Sequence, residues 1–238
     1  MSTVMTSKEF IEKLKFAQKQ KTHYVMGCFG APMNAANKKR YIREYSYNKK
    51  HEGEINLLPA DCFGFDCVCF IKGILWGWNA DTTKEYGGAK YKSNGVPDVS
   101  TEGMIAMCHD VSSDFSSITA GELVYMSGHV GVYVGDGKVI ECTPKWTNNV
   151  QYSNLGNLGY KTGNYRNWLK HGKLPWIDYS GAQVTPGPQS TGVYHNVVKG
   201  DTLYGLGRKY EVDWRSIAKL NGIRAPWIIR VGQRLRIK

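Results

Sequence analysis

Three side chains in this sequence have the types needed for covalent catalysis on a carbonyl group. They are a cysteine, Cys67, a histidine, His129, and a carboxylate, Glu141. A thiolate can attack a carbonyl carbon, an imidazole can take and return the proton, and a third polar group can fix the orientation of the imidazole. The set predicts acyl-transfer chemistry with Cys67 as nucleophile, His129 as base and Glu141 as orienting residue.

The spacing of His129 and Glu141 indicates that a hairpin brings them together. Residues 129–134 and 139–142 have the pattern of strands, and Gly135-Asp136-Gly137 separates them. If these three residues form the loop, Gly131 faces Glu141, and His129 lies on the same face, two residues along. A two-residue loop would shift the pairing by one residue and put the two side chains on opposite faces. The predicted contact therefore depends on this turn.

Cys67 stands at the predicted start of an apolar helix, where free amides and the positive end of the helix dipole favour a thiolate. Asp61-Cys62-Phe63-Gly64 offers a second Asp-Cys pair, but we favour Cys67 because the apolar run follows it directly. A structural interpretation exists beside the functional one. Free cysteines are usually buried, and a lone histidine on an apolar strand is most often a core residue.

The elements that must position these residues are helices first and strands later. Thr6 and Glu9 form a predicted capping box before the first helix, and residues 34–56 are charged and irregular. Helices are predicted at residues 7–20, 67–78 and 101–109, and strands at 123–126, 129–134 and 139–142. This order favours an α+β domain at residues 1–179. Residues 180–192, rich in Gly, Pro, Ser and Thr, predict a flexible linker.

Residues 193–238 form a separate module with the order β-α-α-β. Strands are predicted at 194–198 and 234–237, a helix capped by Asp201 or Thr202 ends at Tyr210, and Asp213 caps a second helix. The segments VVKGDTL, IAKLNGI and IRVGQRLRI strongly resemble a LysM module, a family that binds N-acetylglucosamine in peptidoglycan or chitin. The resemblance implies a carbohydrate groove lined by Gly200, Asp201, Thr202, Leu203, Ile223, Arg224, Trp227 and Ile228.

The core of this module is expected to contain Leu206, Ile217, Leu220 and Leu235. Trp227 either stacks on a sugar face or caps that core.

The first domain also resembles a known family. The segments FDCVCFIKG and GELVYMSGHVGVYVGDGKVIEC are similar to the NlpC-type branch of papain-like cysteine peptidases, and Tyr24-Val25-Met26-Gly27 is similar to its Tyr-x-x-Gly-Gly segment. The resemblance implies a papain-like fold, with helices packed on an antiparallel sheet. It assigns the roles already given to Cys67, His129 and Glu141, and it implies that Tyr24 positions the substrate.

This sequence departs from the family pattern in three places. Val68 and Cys69 stand where Ser-Gly is usual, and the third polar residue is Glu rather than His, Asn or Gln. The segment between Tyr24 and Cys67 is longer than usual, which indicates an insertion that reshapes the cleft.

Together the two resemblances imply a peptidoglycan hydrolase that cuts an amide bond of the stem peptide, with the bond between γ-D-glutamyl and the diamino acid as the leading interpretation. An N-acetylmuramoyl-L-alanine amidase is one alternative. A non-catalytic cell-wall-binding protein with a degenerate peptidase fold is another, and acyl transfer would use the same residues. The expected partner is bacterial peptidoglycan, both its glycan and its stem peptide. We expect a monomer with no cofactor, no nucleic-acid partner and no membrane insertion.

The net charge of +11 is concentrated at the C-terminal end, where residues 193–238 hold ten Lys or Arg against three Asp or Glu. Such a module suits either nucleic acid or an anionic wall, and the LysM resemblance favours the wall. The six cysteines lack the paired CxxC spacing of a zinc site, and the remaining histidines form no grouping, so free thiols and no metal site are expected.

The N-terminus shows no secretory signal, and the apolar run at 71–78 is too short to span a bilayer. We therefore expect a protein made in the cytoplasm without a signal peptide that acts at the cell wall after release, as a bacteriophage endolysin does in cell wall lysis.

Overall fold

The computed structural model describes residues 4–182 and 193–237. These residues fall into two compact units, which lie within Met1–Pro188 and Gln189–Lys238. Both units combine helices and strands, which confirms the predicted α+β class. The linker predicted at residues 180–192 lies outside the described residues from 183 onward.

The first unit contains six described helices and twelve described strands. The helices are α1 Ser7–Gln18, α2 Ala35–Glu44, α3 Ser46–Lys50, α4 Glu52–Leu57, α5 Cys67–Leu75 and α6 Thr101–Met107. The strands are β1 Met5–Thr6, β2 Thr22–Tyr24, β3 Phe29–Pro32, β4 Phe63–Phe65, β5 His109–Ser112, β6 Leu123–Met126, β7 His129–Gly135, β8 Lys138–Thr143, β9 Asn149–Leu155, β10 Tyr165–Arg166, β11 Lys170–Lys173 and β12 Ile177–Asp178.

The first helix begins as predicted. The Thr6 hydroxyl accepts from the Glu9 backbone N–H at 3.2 Å, and the Glu9 carboxylate accepts from the Thr6 backbone N–H at 2.8 Å. This capping box satisfies amides that the first turn leaves unpaired. The buried face of α1, which includes Phe10 and Leu14, packs against α5.

A seven-stranded sheet, in the order β10-β9-β8-β7-β6-β11-β5, is the largest sheet of the described residues. Along β7 and β8 side chains alternate between its faces. Val130, Val132 and Ile140 share a buried cluster with α5, whereas Tyr133 and Val139 belong to a second cluster on the other face. The sheet is therefore covered on both sides, and α5 packs directly on β7 and β8.

A smaller sheet, ordered β2-β4-β3, lies just before α5. It was not predicted, because its strands have only three or four residues. Strand β4 leads directly into Asp66 and Cys67, and β2 pairs with it in parallel, with Tyr24 opposite Phe65. This sheet brings the Tyr24 segment beside the start of α5.

Residues 34–56 are helical, so the prediction of an irregular stretch is wrong. Asn34 caps α2 by accepting from the Asn37 N–H at 2.9 Å, and the three helices bury few apolar side chains. Hydrogen bonds of a fully buried amide, Asn48, make up for this small apolar contact. Asn48 accepts from Met26 N–H at 2.9 Å and donates to the carbonyls of Met26 and Tyr41 at 2.9 and 3.0 Å. Long-range pairing thus fixes helices that a local apolar pattern does not indicate.

The second unit has the predicted β-α-α-β order. Its elements are β13 Tyr194–Asn196, α7 Leu203–Tyr210, α8 Trp214–Leu220 and β14 Arg234–Arg236. Thr202 caps α7 and Asp213 caps α8. Three of the four predicted core residues, Leu206, Ile217 and Leu235, are buried. Leu220 is 48% exposed, so its placement in the core is wrong.

All six cysteines are free thiols. Across residues 4–182 and 193–237, no helix is long and apolar enough to cross a bilayer. In that same part of the chain, no three or more His, Cys, Asp or Glu side chains are grouped so that they could hold a metal ion.

Candidate functional site

Strands β7 and β8 form the hairpin that carries His129, the candidate base. Its turn differs from the predicted one, but its strands pair in the predicted register. The turn has two residues, Asp136 and Gly137, both at positive φ. A two-residue turn alone would move the pairing by one residue, but a β-bulge at Val134 moves it back. Inward of the bulge, Val132 pairs with Ile140, which is the register that the three-residue loop predicts.

This register puts His129 and Glu141 in contact. Nε2 of His129 lies 2.6 Å from Oε2 of Glu141. Gly131 leaves room for the contact, because a Cβ at that position would come within 3.3 Å of the Glu141 Cβ and 2.7 Å of Val139 Cγ1. The predicted pair is therefore present in the structure, while its catalytic role stays a prediction.

Two further residues hold the Glu141 carboxylate, and the sequence analysis missed both. The Ser153 hydroxyl donates to Oε1, and Nε of Arg166 lies 2.7 Å from Oε2. Glu141 is fully buried. Burial opposes its ionisation, but the hydrogen bond and charge of His129 and the charge of Arg166 outweigh this and hold the pKa of Glu141 below its ordinary value. The residue is thus an ionised, fixed acceptor for the imidazole.

Aromatic rings fix the positions of the imidazole and the guanidinium. The His129 ring is stacked on Trp168, with ring centroids 5.6 Å apart and planes 14° apart. The Arg166 guanidinium lies 4.9 Å from the ring centroid of Trp146 and 5.9 Å from that of Trp168. Its Nη2 also donates to Thr143 Oγ1 at 2.9 Å. These contacts leave the His129–Glu141 pair little freedom to rotate.

Cys67 is the first residue of α5, as predicted, and Asp66 is the N-cap. The Asp66 carboxylate accepts from the N–H groups of Cys69 at 2.7 Å and Gly27 at 2.8 Å. The second bond ties the start of α5 to the Tyr24–Gly27 segment. Asp66 is thus a structural anchor for the turn that presents Cys67.

The Cys67 sulfur reaches the beginning of β7 from the α5 side of the sheet. Cys67 shares a buried cluster with Val130, next in the chain after His129, and the backbone N–H of Val130 lowers the pKa of the thiol. Because side chains alternate, His129 and Glu141 lie on the opposite face from Val130. Nδ1 of His129 makes no hydrogen bond with any residue that the structure describes, so it is the ring nitrogen left to take a proton.

The thiolate predicted from the helix N-terminus is not the resting form of Cys67. Its side chain is 6% exposed, and burial, followed by the negative charge of Asp66, raises the pKa of the thiol to about 12. The N–H groups of Val130, Val68 and Cys67 itself lower the pKa, but they do not offset burial. At neutral pH the sulfur is protonated, and its activation requires transfer of that proton to a base.

Tyr24 lies at the end of β2, beside the start of α5. Burial and the nearby Cys67 and Asp66 raise the pKa of its hydroxyl, so the phenol is neutral. Its ring packs edge-on against Tyr47 of α3, with centroids 5.5 Å apart. Helix α3 therefore reaches the candidate site through Tyr47.

The competing cysteine, Cys62, lies in a different part of the core. It is buried in a cluster with Cys28, Met33 and Tyr41, rather than against β7. Of the two candidate nucleophiles, only Cys67 shares a cluster with Val130.

A cleft of about 590 Å³ opens on the other side of the α5 N-terminus. Val68 and Cys69 line it together with Gly27, Tyr45 and Asp66. The two residues that follow Cys67 therefore form part of the wall of this cleft.

Replacing Arg166 with glutamine tests whether the guanidinium keeps Glu141 ionised. The folded state favours the carboxylate form of Glu141. Glu141 therefore contributes to folding stability above the ordinary carboxyl pKa, and this contribution is lost as pH falls through the lowered pKa of the folded state. Without the guanidinium this lowering is smaller. We expect the acid limb of a plot of unfolding free energy against pH to move to higher pH in Arg166→Gln, as measured by denaturant unfolding at a series of pH values.

The matched control is Lys173→Gln, which breaks a surface ion pair with Asp110. Exposed pairs of this kind contribute little, so its pH profile should coincide with wild type. An unchanged acid limb in Arg166→Gln would contradict the role given to Arg166.

In the second unit, the predicted carbohydrate residues separate into two groups. Gly200 and Thr202 are exposed, but Leu203 is buried in the core and Ile223 is partly buried against it. The carboxylate of Asp201 lies 2.6 Å from His195 Nε2 and accepts from Val198 N–H at 2.8 Å. Asp201 is therefore bonded within the unit.

The other predicted carbohydrate residues lie in the loop before β14. Arg224, Trp227 and Ile228 are all exposed, and Trp227 packs edge-on against Trp214, with centroids 5.6 Å apart. With 44% of its surface exposed, the Trp227 side chain leaves aromatic area open to solvent. It is the member of the predicted set best placed to stack on a sugar.

This division predicts different outcomes for Trp227→Ala and Asp201→Ala. We expect Trp227→Ala to weaken binding to purified peptidoglycan about tenfold, a loss of about 1.4 kcal/mol, with the melting temperature unchanged. Asp201→Ala should lower the melting temperature, because it removes bonds to His195 and Val198. Leu220→Ala, which truncates another exposed apolar side chain of the unit, is the control. Wild-type binding by Trp227→Ala would show that the sugar binds elsewhere.

Comparison with known proteins identifies the second unit. Residues 195–238 match the family model of the LysM domain, which confirms that interpretation and indicates peptidoglycan binding.

The chain is 36% identical over 58 residues to the uncharacterised lipoprotein YgeR of Escherichia coli strain K12, covering 24% of this chain and 23% of that protein. It is 41% identical over 49 residues to a lipoprotein NlpD/LppB homolog of Pseudomonas aeruginosa, covering 21% of this chain and 16% of that protein. The chain thus spans less than a quarter of either relative.

The predicted localisation is contradicted by these relatives. Both are named lipoproteins, whereas the prediction was of a chain made in the cytoplasm without a signal peptide and acting at the wall after release. The similarity to lipoproteins agrees with a cell-wall-associated protein. It does not support the endolysin interpretation, which is therefore dropped.

Proposed function

We propose that this protein is a peptidoglycan hydrolase of the papain-like NlpC type, with Cys67 as its nucleophile. The LysM domain binds the wall, and the first unit cuts an amide bond in it. The observation that carries the proposal is the His129–Glu141 contact at 2.6 Å, formed at the start of β7, the strand on which α5 and Cys67 pack. A thiol, a base and an orienting acid are the groups that acyl transfer needs.

The proposed reaction requires a shift at the start of β7 that brings Nδ1 of His129 to the Cys67 sulfur. The Cys67 thiol gives its proton to Nδ1 of His129 as the sulfur attacks the amide carbonyl carbon, and Glu141 stabilises the imidazolium through Nε2. The tetrahedral intermediate collapses when His129 returns the proton to the leaving amine, which leaves a thioester on Cys67. Water, deprotonated by His129, then attacks the thioester and releases the carboxylic acid and the free thiol.

The substrate bond is proposed to be the one between the γ-carboxyl of D-glutamate and the diamino acid. Digestion of purified walls, followed by identification of the new amino termini, tests this. We expect the α-amine of the diamino acid to appear. New amino termini on L-alanine would instead indicate an N-acetylmuramoyl-L-alanine amidase with the same residues.

One observation favours a second function, that of a wall-binding protein without catalysis. Cys67 is nearly buried, and His129 projects from the other face of the sheet, with no hydrogen bond between the two in the residues described. Catalysis then requires a shift at the start of β7 when substrate binds. Intact wall binding with no release of amino termini from any peptidoglycan tested would favour this second function.

A further inference from the structure

A groove of about 980 Å³ lies between α2, α3 and α4, apart from the Cys67 site. Buried Met33 and Ile42 form part of its apolar floor. Four of its lining side chains are cationic and one is a carboxylate, and these are Lys38, Lys39, Arg43, Lys49 and Glu52. The groove therefore combines an apolar floor with a cationic rim.

Helices α2, α3 and α4 carry most of the excess charge of the first unit. Residues 35–57 contain six Lys or Arg and three Glu, a net charge of +3, whereas residues 1–192 as a whole carry +4. The positive potential of this unit is thus concentrated on one structure, and a concave surface lined by one sign of charge strengthens the local field.

Of these cations, Lys49 is paired with Glu52, and carboxylates neutralise the other three only in part. The Lys38 ammonium donates to the carbonyls of Asn56 and Leu58 at 3.0 and 2.5 Å, which fix its position without cancelling its charge. Lys39 forms no ion pair within residues 4–182 and 193–237. Arg43 lies 3.6 Å from Glu44, a carboxylate that also pairs with Arg40 at 3.3 Å.

We propose that this groove binds a phosphate-bearing polyanion of the bacterial wall, a polymer whose phosphodiester groups repeat along a carbon chain. Several cations along one open groove suit a chain of repeated charges, and the apolar floor suits the carbon backbone between them. The LysM domain indicates peptidoglycan binding, which brings the protein to the bacterial wall. The assignment is independent of the proposed hydrolase activity.

The test uses the full chain and a glycerol phosphate oligomer as the probe. The groove variant is Lys39→Gln/Arg43→Gln, and the control is Lys90→Gln/Lys161→Gln, which removes the same charge from exposed lysines of the same unit outside the groove. Affinity is measured by titration at several salt concentrations. A polyglutamate of equal charge is titrated in parallel, because it presents carboxylate in place of phosphate.

We expect the groove variant to bind the oligomer about tenfold more weakly at low salt, with the slope of log affinity against log salt reduced by about 1.4 for the two cations. The control should bind within about twofold of wild type, and both variants should melt as wild type does. The basic LysM unit contributes equally in every variant. Equal losses of affinity in the groove and control variants, or no loss of affinity in the groove variant, would contradict binding of the oligomer in the groove. Equal binding of polyglutamate would overturn the assignment of phosphate.

Discussion

Replacing Cys67 with serine is expected to reduce hydrolysis of purified peptidoglycan by about a thousandfold or more, a loss of about 4 kcal/mol in transition-state stabilisation. A serine hydroxyl at this position is a far weaker nucleophile than a thiol, because a hydroxyl loses its proton far less readily than a thiol does. Turbidity loss of purified walls and release of amino termini both measure the effect.

The matched variant is Cys62→Ser, which alters the other Asp-Cys pair. Because Cys62 belongs to the cluster of Cys28 and Met33, we expect hydrolysis within about threefold of wild type after correction for stability. Wall binding should be the same in both variants, since the LysM domain is unchanged. Loss of hydrolysis in Cys62→Ser but not in Cys67→Ser would reverse the assignment of the nucleophile.

Replacing Glu141 with glutamine is expected to lower kcat/KM by about 10²–10⁴-fold, because a neutral amide no longer stabilises the imidazolium that forms during each turnover. The change also leaves the Arg166 guanidinium without its carboxylate in a largely buried position. Breaking a buried ion pair in this way costs about 3–5 kcal/mol of folding stability. Hydrolysis assays and denaturant unfolding measure the two effects separately.

A second buried pair in the same unit provides the control for this variant. The Glu122 carboxylate contacts Nδ1 of His171, and both residues are buried. Glu122→Gln should therefore lower stability by a similar amount while kcat/KM stays within about threefold of wild type. If Glu122→Gln and Glu141→Gln reduce hydrolysis equally, Glu141 acts on stability alone.

The parts of the site that local sequence predicts are those made by neighbouring residues. The apolar run after Cys67 predicts α5, and the glycine-rich turn and alternating pattern predict the hairpin and the contact between His129 and Glu141. In each case the interacting residues lie within one element or one hairpin. Strand pairing and helix periodicity are then sufficient to place them.

The rest of the site depends on contacts that no local pattern records. Arg166 reaches Glu141 from β10, 25 residues further along the chain, and Ser153 reaches it from β9, a strand that was not predicted. The helices at 34–56 are fixed by the buried amide of Asn48 rather than by an apolar face. The raised pKa of Cys67 has the same origin, because burial depends on the packing of the whole unit and outweighs the local effect of the helix N-terminus.

The bulge at Val134 also limits how the length of this hairpin can change during evolution. One extra residue in β7 and a turn of two residues together keep Glu141 on the face of His129. Inserting or deleting a single residue between them reverses which side chains face each sheet surface, unless a second change restores the parity. Relatives that keep both side chains in contact should therefore vary this hairpin in steps of two residues, or gain and lose bulge and turn residues together.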